Sequence, residues 1–346
     1  MGRRRDTLSS MATPRFTPFD AEGGLIFATR LPGSSEDFDE HRRGWDELAA
    51  PESEPPLWIH LDRTRPRAQQ WVREESGLDP LVVESLLAEE TRPRVQAVGH
   101  GMIVILRGVN LNPGAEPDEL IAIRMWLEPT RILTLRQFRF QTVAEMRRAA
   151  EAGEGPTTAS EFLAKVSLGL ALRMNPTVAN LEEMIDDIED EMLDQDEDTP
   201  QRRSMLATIR RQAIRYRRFL VPQRDALLTI LVNPPLKFAA RDEGMLRHAA
   251  EHTTRISEAL EEIRDRAAVT QDELRARHEQ RMGRTLYLLT IVATVALPLG
   301  LLTGLLGINV GGIPLSDSSL GFVVVCVALV VIAAAEIWYF RRRRLL

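Results

Sequence analysis

The sequence predicts an α/β domain, a long helix after it, and two C-terminal helices long enough to cross a membrane. Three observations lead to this fold class. Short apolar runs alternate with helical patterns early in the chain, and no proline occurs between residues 241 and 298. Charge is also unevenly spread, since residues 281–346 hold 2 of the 50 acidic and 6 of the 44 basic residues, a net charge of +4. The 346-residue chain has a net charge of −6, so residues 1–280 carry −10.

The α/β prediction rests on residues 20–140. Apolar runs rich in β-branched residues predict strands, and the segments between them predict helices, a mixture typical of a layered α/β domain. The predicted strands cover residues 24–30, 57–62, 102–111, 121–127 and 132–136, and the predicted helices cover residues 67–76 and 80–90.

Composition and motifs exclude several classes of function. The lone cysteine, Cys326, rules out an internal disulfide framework and a cysteine-based zinc site within one chain. The acidic charge balance argues against a nucleic-acid partner. The sequence has no phosphate-binding loop, dinucleotide fingerprint or nucleophile elbow. We therefore expect neither an enzyme nor a bound cofactor.

Two helical segments of opposite charge close the predicted first domain, residues 1–240. Residues 181–198 contain eleven acids and no base, whereas residues 201–224 contain eight arginines and no acid. Pro200 lies at the joint, so we predict an antiparallel helical hairpin, at about residues 160–231, whose charges pair. An alternative role for the acidic helix is to concentrate cations near a pore.

A stalk helix is predicted over residues 241–285 and continues to residue 306. At about 1.5 Å per residue, the whole helix would be roughly 100 Å long. Because a single rod has nothing to bury an apolar stripe against, we predict that several copies assemble around an axis. The stripe recurs every three or four residues and contains Met245, Ala249, His252, Ile256, Ala259, Ile263, Ala267, Thr270, Leu274 and His278.

The membrane prediction, for residues 286–346, rests on an absence of charge from Thr285 to Ser316. The apolar runs Leu286–Leu306 and Leu320–Phe340 each match the thickness of a lipid bilayer. Arginines precede the first run and follow the second, while the link between them has none. Both ends of the chain are therefore expected in the cytoplasm.

The residues after the first apolar run carry a family resemblance. Gly307-Ile308-Asn309 resembles the Gly-Met-Asn motif of the CorA metal-ion transporter superfamily, with Ile308 in place of methionine. Longer segments resemble the zinc-transporter branch, ZntB; they cover residues 87–96, 106–120, 123–136, 221–227 and 289–314.

This resemblance implies a CorA-like homopentameric funnel in the cell inner membrane. Residues 286–306 would form the pore helix, residues 307–319 an external loop and residues 320–340 an outer helix. The transported ion would be Zn²⁺, and its import would be coupled to protons. The implied selectivity motif is Gly307, Ile308 and Asn309, and the implied pore-lining residues are Leu286, Thr290, Ala293, Leu297, Gly300 and Gly304.

Three acidic or histidine features have two interpretations each. Asp317 in the external loop either attracts cations or is an ordinary solvated charge. Glu336 is either paired with Arg341 or part of a proton relay. His248 and His252 are spaced to share a helix face, so they either bind metal, with Glu251 or a neighbouring chain completing the site, or simply pack.

Ion selectivity is the point on which residue chemistry and the resemblance diverge. Zinc favours histidine and cysteine ligands, yet no histidine follows His278. By residue chemistry alone, a magnesium or cobalt channel fits equally well. A membrane-anchored sensor or scaffold is the competing class of function.

Overall fold

The computed structural model describes residues 22–31, 45, 48, 55–116, 119–194, 199–307 and 319–342. The chain divides into two compact units, Met1–Thr270 and Gln271–Leu346. The first unit contains a six-stranded sheet whose strands are β1 (Leu25–Arg30), β2 (Leu57–Asp62), β3 (Arg94–Val98), β4 (Gly101–Val109), β5 (Leu120–Glu128) and β6 (Arg131–Arg136). Five of these strands lie within two residues of their predicted bounds, and β3 was not predicted.

The strand order is β1-β2-β6-β5-β4-β3. Strand β2 pairs with β6 in parallel, and the other pairs are antiparallel. Alternate residues of one strand face opposite sides of the sheet. On β2, Trp58 therefore packs into one core, whereas Leu57 and Ile59 pack into a second core on the other face. A sheet covered on both faces explains why its strands are almost continuously apolar.

Eight α-helices are described. They are α1 (Pro66–Gln70), α2 (Pro80–Leu87), α3 (Gln141–Glu151), α4 (Ala159–Leu172), α5 (Asn175–Asp194), α6 (Pro200–Val232), α7 (Ala240–Leu306) and α8 (Ser319–Arg342). A π-helical turn, Trp71–Glu75, continues α1.

Local sequence explains where the helices begin and end. Asp79 caps α2 by accepting a hydrogen bond from the backbone N–H of Leu81, and Thr199 caps α6 in the same way. Pro200 occupies the first turn of α6, where its missing N–H costs nothing. The Asn233-Pro234-Pro235 segment follows α6 directly, and α7 then runs without a break through the predicted range.

The apolar stripe of α7 is buried by the same chain, which corrects the expectation that it needs neighbouring copies. Leu260 and Ile263 are almost fully buried within the first unit. Arg266 of α7 reaches Asp186 and Glu189 of α5 at 2.6 and 2.5 Å. The buried face is also displaced from the predicted one, because Met245, His252 and Ala259 are only half-buried. The stripe up to Thr270 is therefore no argument for an oligomer.

Charged residues of α5 and α6 form ion pairs with α7 as well as with each other. Arg202 of α6 pairs with Glu191 of α5 at 2.9 Å, as the hairpin predicts. Arg217 of α6, however, pairs with Glu261 of α7 at 2.9 Å. Together with Arg266, this makes a three-helix arrangement in which α7 contributes both signs of charge.

The second unit contains the C-terminal part of α7 and all of α8. Each helix contains an apolar stretch long enough to cross a membrane, and no residue of either stretch is fully buried. Each nevertheless has one half-buried face. On α7 this face contains Ile291, Val295, Pro298, Leu299 and Leu302, and on α8 it contains Gly321, Val325, Leu329, Ile332, Ala333, Glu336 and Phe340.

Candidate ion pathway

Gly307 is the described residue of the predicted selectivity motif. It lies directly after α7, and its N–H donates to the carbonyl of Thr303 at 2.9 Å. A Cβ at this position would lie 3.2 Å from the same carbonyl oxygen, closer than most side chains tolerate. Glycine thus suits the tight end of the helix. Ile308, Asn309 and Asp317 lie outside the described residues, so their roles stay predictions.

The six predicted pore-lining residues share one face of α7. All six, from Leu286 to Gly304, are exposed in the single chain. At about 100° per residue, they centre opposite the half-buried face that contains Val295 and Leu302. Within the described part of the second unit, the face assigned to a pore is exposed, as are the residues between it and the half-buried face. Its role in lining a pore remains a prediction.

Three threonine hydroxyls on this part of α7 are hydrogen-bonded to carbonyl groups of their own helix. Thr290 donates to the carbonyl of Leu286 at 2.8 Å, and Thr294 donates to that of Thr290 at 2.7 Å. Thr303 donates to the carbonyl of Leu299 at 3.0 Å. The hydroxyl oxygens keep lone pairs that can accept from the water shell of a cation. Residues 285–306 supply no histidine, cysteine or carboxylate.

His248 and His252 lie on one face of α7, with ring centroids 6.2 Å apart. Asn175 of α5 donates from Nδ2 to Nε2 of His252 at 3.2 Å. Burial, the nearby Arg255 and then His248 lower the pKa of His252. Among the described residues no group of three histidine, cysteine or acidic side chains could hold a metal, so Glu251 does not complete a site. Metal binding by this pair stays a prediction.

Glu336 lies on the half-buried face of α8. Its Oε2 atom is buried and has no hydrogen-bond partner in the part of the chain that the structure describes. The predicted partner Arg341 has a side chain outside the described residues. In the sequence, Glu336 lies close to the terminal arginines, which favours an ion pair with Arg341. The spacing of Leu329, Ile332 and Phe340 around it would have shown that it shares their face.

Comparison with known proteins identifies the family. Over residues 53–342, the sequence matches the family described as CorA-like Mg²⁺ transporter protein. The chain belongs to this family. The predicted resemblance to the CorA superfamily and to ZntB is confirmed.

Two relatives cover most of this CorA-family chain. Divalent cation transporter CmaX of Pseudomonas aeruginosa is 37% identical over 326 residues, which cover 93% of this chain and 97% of that protein. Zinc transport protein ZntB of Pectobacterium carotovorum subsp. carotovorum is 33% identical over 292 residues, which cover 84% and 88% of the two chains. The solved structure of full-length CmaX matches with a TM-score of 0.79 at 36% identity, covering 93% of this chain and 98% of that one.

Membership of this family decides the class of function. The chain is a CorA-family transporter of divalent cations, with an α/β domain followed by a long helix and C-terminal apolar helices. Proteins of this family are ion transporters, in agreement with the expectation that the chain is not an enzyme. The sensor or scaffold alternative finds no support among these relatives.

Proposed function

We propose that this chain imports Zn²⁺ across the cell inner membrane as a homopentamer. In this proposal the exposed face of α7 lines the pore, and the Gly307-Ile308-Asn309 motif forms its outer end. The observation that carries the proposal is α7 itself, a single helix from Ala240 to Leu306 that ends at Gly307 of the motif. A helix that ends at the motif, and whose predicted lining face is exposed in the described residues, is suited to a pore built from several copies.

The choice of zinc rests on the relatives. ZntB, which is described as a zinc transport protein, aligns over 84% of this chain. CmaX, described as a divalent cation transporter, is compatible with zinc without specifying it. We therefore take Zn²⁺ as the principal substrate.

The chemistry of such a pore would be that of neutral oxygens. Five Asn309 side chains could accept hydrogen bonds from the waters around a cation, or replace one of them. Neutral oxygens bind a divalent cation weakly enough for it to leave again, which transport requires. Asp317 would raise the local concentration of cations outside the membrane.

Proton coupling is the second part of the proposal, and Glu336 is its candidate carrier. An acid within an apolar helix is costly and is usually functional. Glu336 lies on the half-buried face of α8, and one of its carboxylate oxygens is buried without a partner among the described residues. A carboxyl group there could take up a proton on one side of the membrane and release it on the other.

A magnesium or cobalt channel is the second candidate function. The family description names Mg²⁺, and the apolar part of α7 lacks the ligands that zinc prefers. Magnesium keeps much of its water shell and is bound by oxygens, which suits the same pore.

Flux measurements in liposomes separate these candidates. The full chain is reconstituted, and uptake of Zn²⁺, Mg²⁺ and Co²⁺ is followed with and without an acidic exterior, against empty liposomes. We expect Zn²⁺ uptake that is faster when the exterior is acidic. Uptake of Mg²⁺ and Co²⁺ without Zn²⁺ would contradict the zinc assignment, and equal zinc rates with and without the gradient would contradict coupling.

A further inference from the structure

Four arginines gather at one end of the sheet in the first unit. Arg94 of β3 and Arg124 of β5 are both paired with Ile105 of β4, so the three side chains lie side by side on one face. Arg107 is two residues further along β4 on the same face, and Arg63 directly follows β2. We call Arg63, Arg94, Arg107 and Arg124 the arginine cluster.

Backbone carbonyl groups hold two of these arginines in place. Arg124 donates from Nη2 to the carbonyl oxygens of Ala88 and Glu89, at 2.8 and 3.2 Å, just beyond the end of α2. Arg107 donates to the carbonyl oxygens of Leu120 and Thr91 at 2.8 and 2.9 Å.

The ring of Phe219 from α6 packs 4.0 Å from the guanidinium carbon of Arg107. Arg63 donates to Oε1 of Gln137 at 2.9 Å. The guanidinium groups of Arg63, Arg107 and Arg124 are thus held in position, which lowers the entropic cost of binding a ligand.

The arginine cluster has more donors than the protein uses. Among the described residues, the Nε atom of each of the four arginines is buried without a hydrogen-bond partner. Arg124 is 2% exposed overall, so its unpaired Nε belongs to a side chain that is almost fully buried. Within the described part of the chain, Arg94 makes no guanidinium hydrogen bond, and none of the four forms a salt bridge. Thr91 Oγ1, beside them, is also buried and unpartnered.

The charges of the cluster oppose one another. Burial, followed by the proximity of Arg63, Arg107 and Arg94, lowers the pKa of Arg124 to about 10. Burial and then Arg218 lower the pKa of Arg107, which Glu90 partly offsets.

Carboxylates at this end of the sheet balance the cluster only in part. Burial also lowers the pKa of Arg63, with Glu89 and Asp62 acting in the opposite sense. Glu89 and Glu90 are exposed, and Asp62 already accepts two hydrogen bonds from Thr64. The nearby carboxylates therefore leave an excess of fixed positive charge.

We propose that the arginine cluster is a binding site for a phosphate group, carried either by free phosphate or by a nucleotide. Guanidinium groups bind phosphate through paired, charge-assisted hydrogen bonds. A phosphate offers more acceptor oxygens than a carboxylate and carries nearly two negative charges at neutral pH. It therefore matches several arginines at once. This site is additional to the ion pathway, and it does not depend on which cation is transported.

Calorimetric titration of the full chain in lipid nanodiscs tests the site. Inorganic phosphate and ADP are titrated separately, without divalent cations and at constant ionic strength set with chloride. We expect saturable binding of phosphate at millimolar concentration or below. Tighter binding of ADP would identify a nucleotide as the source of the phosphate group, and equal binding would identify free phosphate.

The Arg94→Gln variant removes a guanidinium that makes no hydrogen bond to any described residue, so its fold should be retained. We expect phosphate to bind at least about tenfold more weakly, the effect of losing one charge-assisted hydrogen bond. Arg148→Gln is the matched control, because it removes an exposed arginine of α3 outside the cluster. It should bind phosphate as the wild type does.

Three results would overturn the site: no saturable binding to the wild type, unchanged binding to Arg94→Gln, or equal weakening in both variants. Melting temperature without ligand reports folding. If Arg94→Gln does not fold, phosphate binding by Arg63→Gln is compared with that by Arg148→Gln instead.

Discussion

At the scale of single residues, the motif at the end of α7 bears most directly on transport. Replacing Asn309 by alanine should abolish Zn²⁺ uptake, because it removes the amide oxygens that would contact the hydrated ion. Uptake into liposomes measures the effect, and gel filtration shows whether the oligomer is retained. Ser318→Ala in the same loop should transport normally. Normal uptake by Asn309→Ala would remove the proposed filter.

Glu336 provides a residue-scale test of coupling. Glutamine keeps the shape of the side chain but cannot release a proton, so Glu336→Gln should transport Zn²⁺ at a rate that no longer depends on the pH gradient. The measurement is Zn²⁺ uptake with an acidic and with a neutral exterior, and Ser319→Ala, at the other end of α8, is the control. If Glu336→Gln keeps the full response to the gradient, protons travel by another route.

The buried His60 should make the stability of the folded protein depend on pH. Its ring is buried, with Nδ1 2.7 Å from Oγ1 of Thr134 and with no partner for Nε2 in the described ranges. Burial, then the charges of Arg136 and Arg147, hold its pKa well below the ordinary value. The folded state therefore keeps His60 neutral, whereas the unfolded chain takes up a proton below about pH 6.5. The contribution of His60 to the free energy of unfolding is therefore fully present above that pH. It is lost as the pH falls, by up to about 1.4 kcal/mol per pH unit.

Melting curves between about pH 7.5 and pH 5.5 measure this loss. The His60→Gln variant should lose less stability over this range than the wild type, whatever its absolute stability. The exposed His278→Gln should follow the wild type. Equal slopes for His60→Gln and the wild type would show that another group controls the acid response.

At the scale of elements, a buried ion pair stabilises the turn between β5 and β6. Arg131 donates from Nε to Oε1 of Glu128 at 2.6 Å and from Nη1 to the carbonyl of Ser76 at 2.7 Å. Both charged side chains are 4% exposed. Arg131→Met should destabilise the protein by about 3–5 kcal/mol, because Glu128 would remain buried beside the exposed His100 alone.

The double variant Glu128→Leu/Arg131→Met is the control for this ion pair. It removes both charges, so its melting temperature should lie much closer to that of the wild type than that of Arg131→Met does. Thermal unfolding of the full chain measures both. If the double variant is as unstable as Arg131→Met, the stability is lost through packing and through the hydrogen bond to Ser76, and not through the unpaired charge of Glu128.

The elements also show how far the sequence predicts the structure. Helix α7 was predicted to within a residue, because its start follows two prolines and its end precedes a glycine. Strand β3 was missed because Arg94 and Gln96 interrupt its apolar residues, as suits an edge strand with little burial. The charge pattern predicted that α5 pairs with α6, but pattern alone could not show that Arg266 of α7 would pair with other carboxylates of α5.

The candidate site was less predictable than the fold. The pore-lining positions came from helical spacing combined with a family resemblance, and the exposed face of α7 is compatible with them. The arginine cluster could not be found from the sequence, because its members come from three strands and a loop. Only the register that sets Arg94 and Arg124 against the same residue of β4 brings them together.

At the scale of the whole molecule, a pore has to form between copies of the chain. The described part of one chain contains a single helix with the predicted lining face, and that face is uncovered. A ring of α7 helices would enclose it, and residues on other faces would then meet lipid or protein. Cysteine placed on the lining face should be reached by a water-soluble thiol reagent, since only this face would contact the water of the pore.

Leu297→Cys in a Cys326→Ser background makes this test, with Val292→Cys as the control. Both leucine and valine side chains are exposed in the single chain, at 76% and 64%. Val292 lies about 120° round the helix from the centre of the lining face. We expect a charged methanethiosulfonate reagent to block Zn²⁺ uptake by Leu297→Cys and to leave Val292→Cys active. Block of Val292→Cys alone would place the pore on a different face of α7.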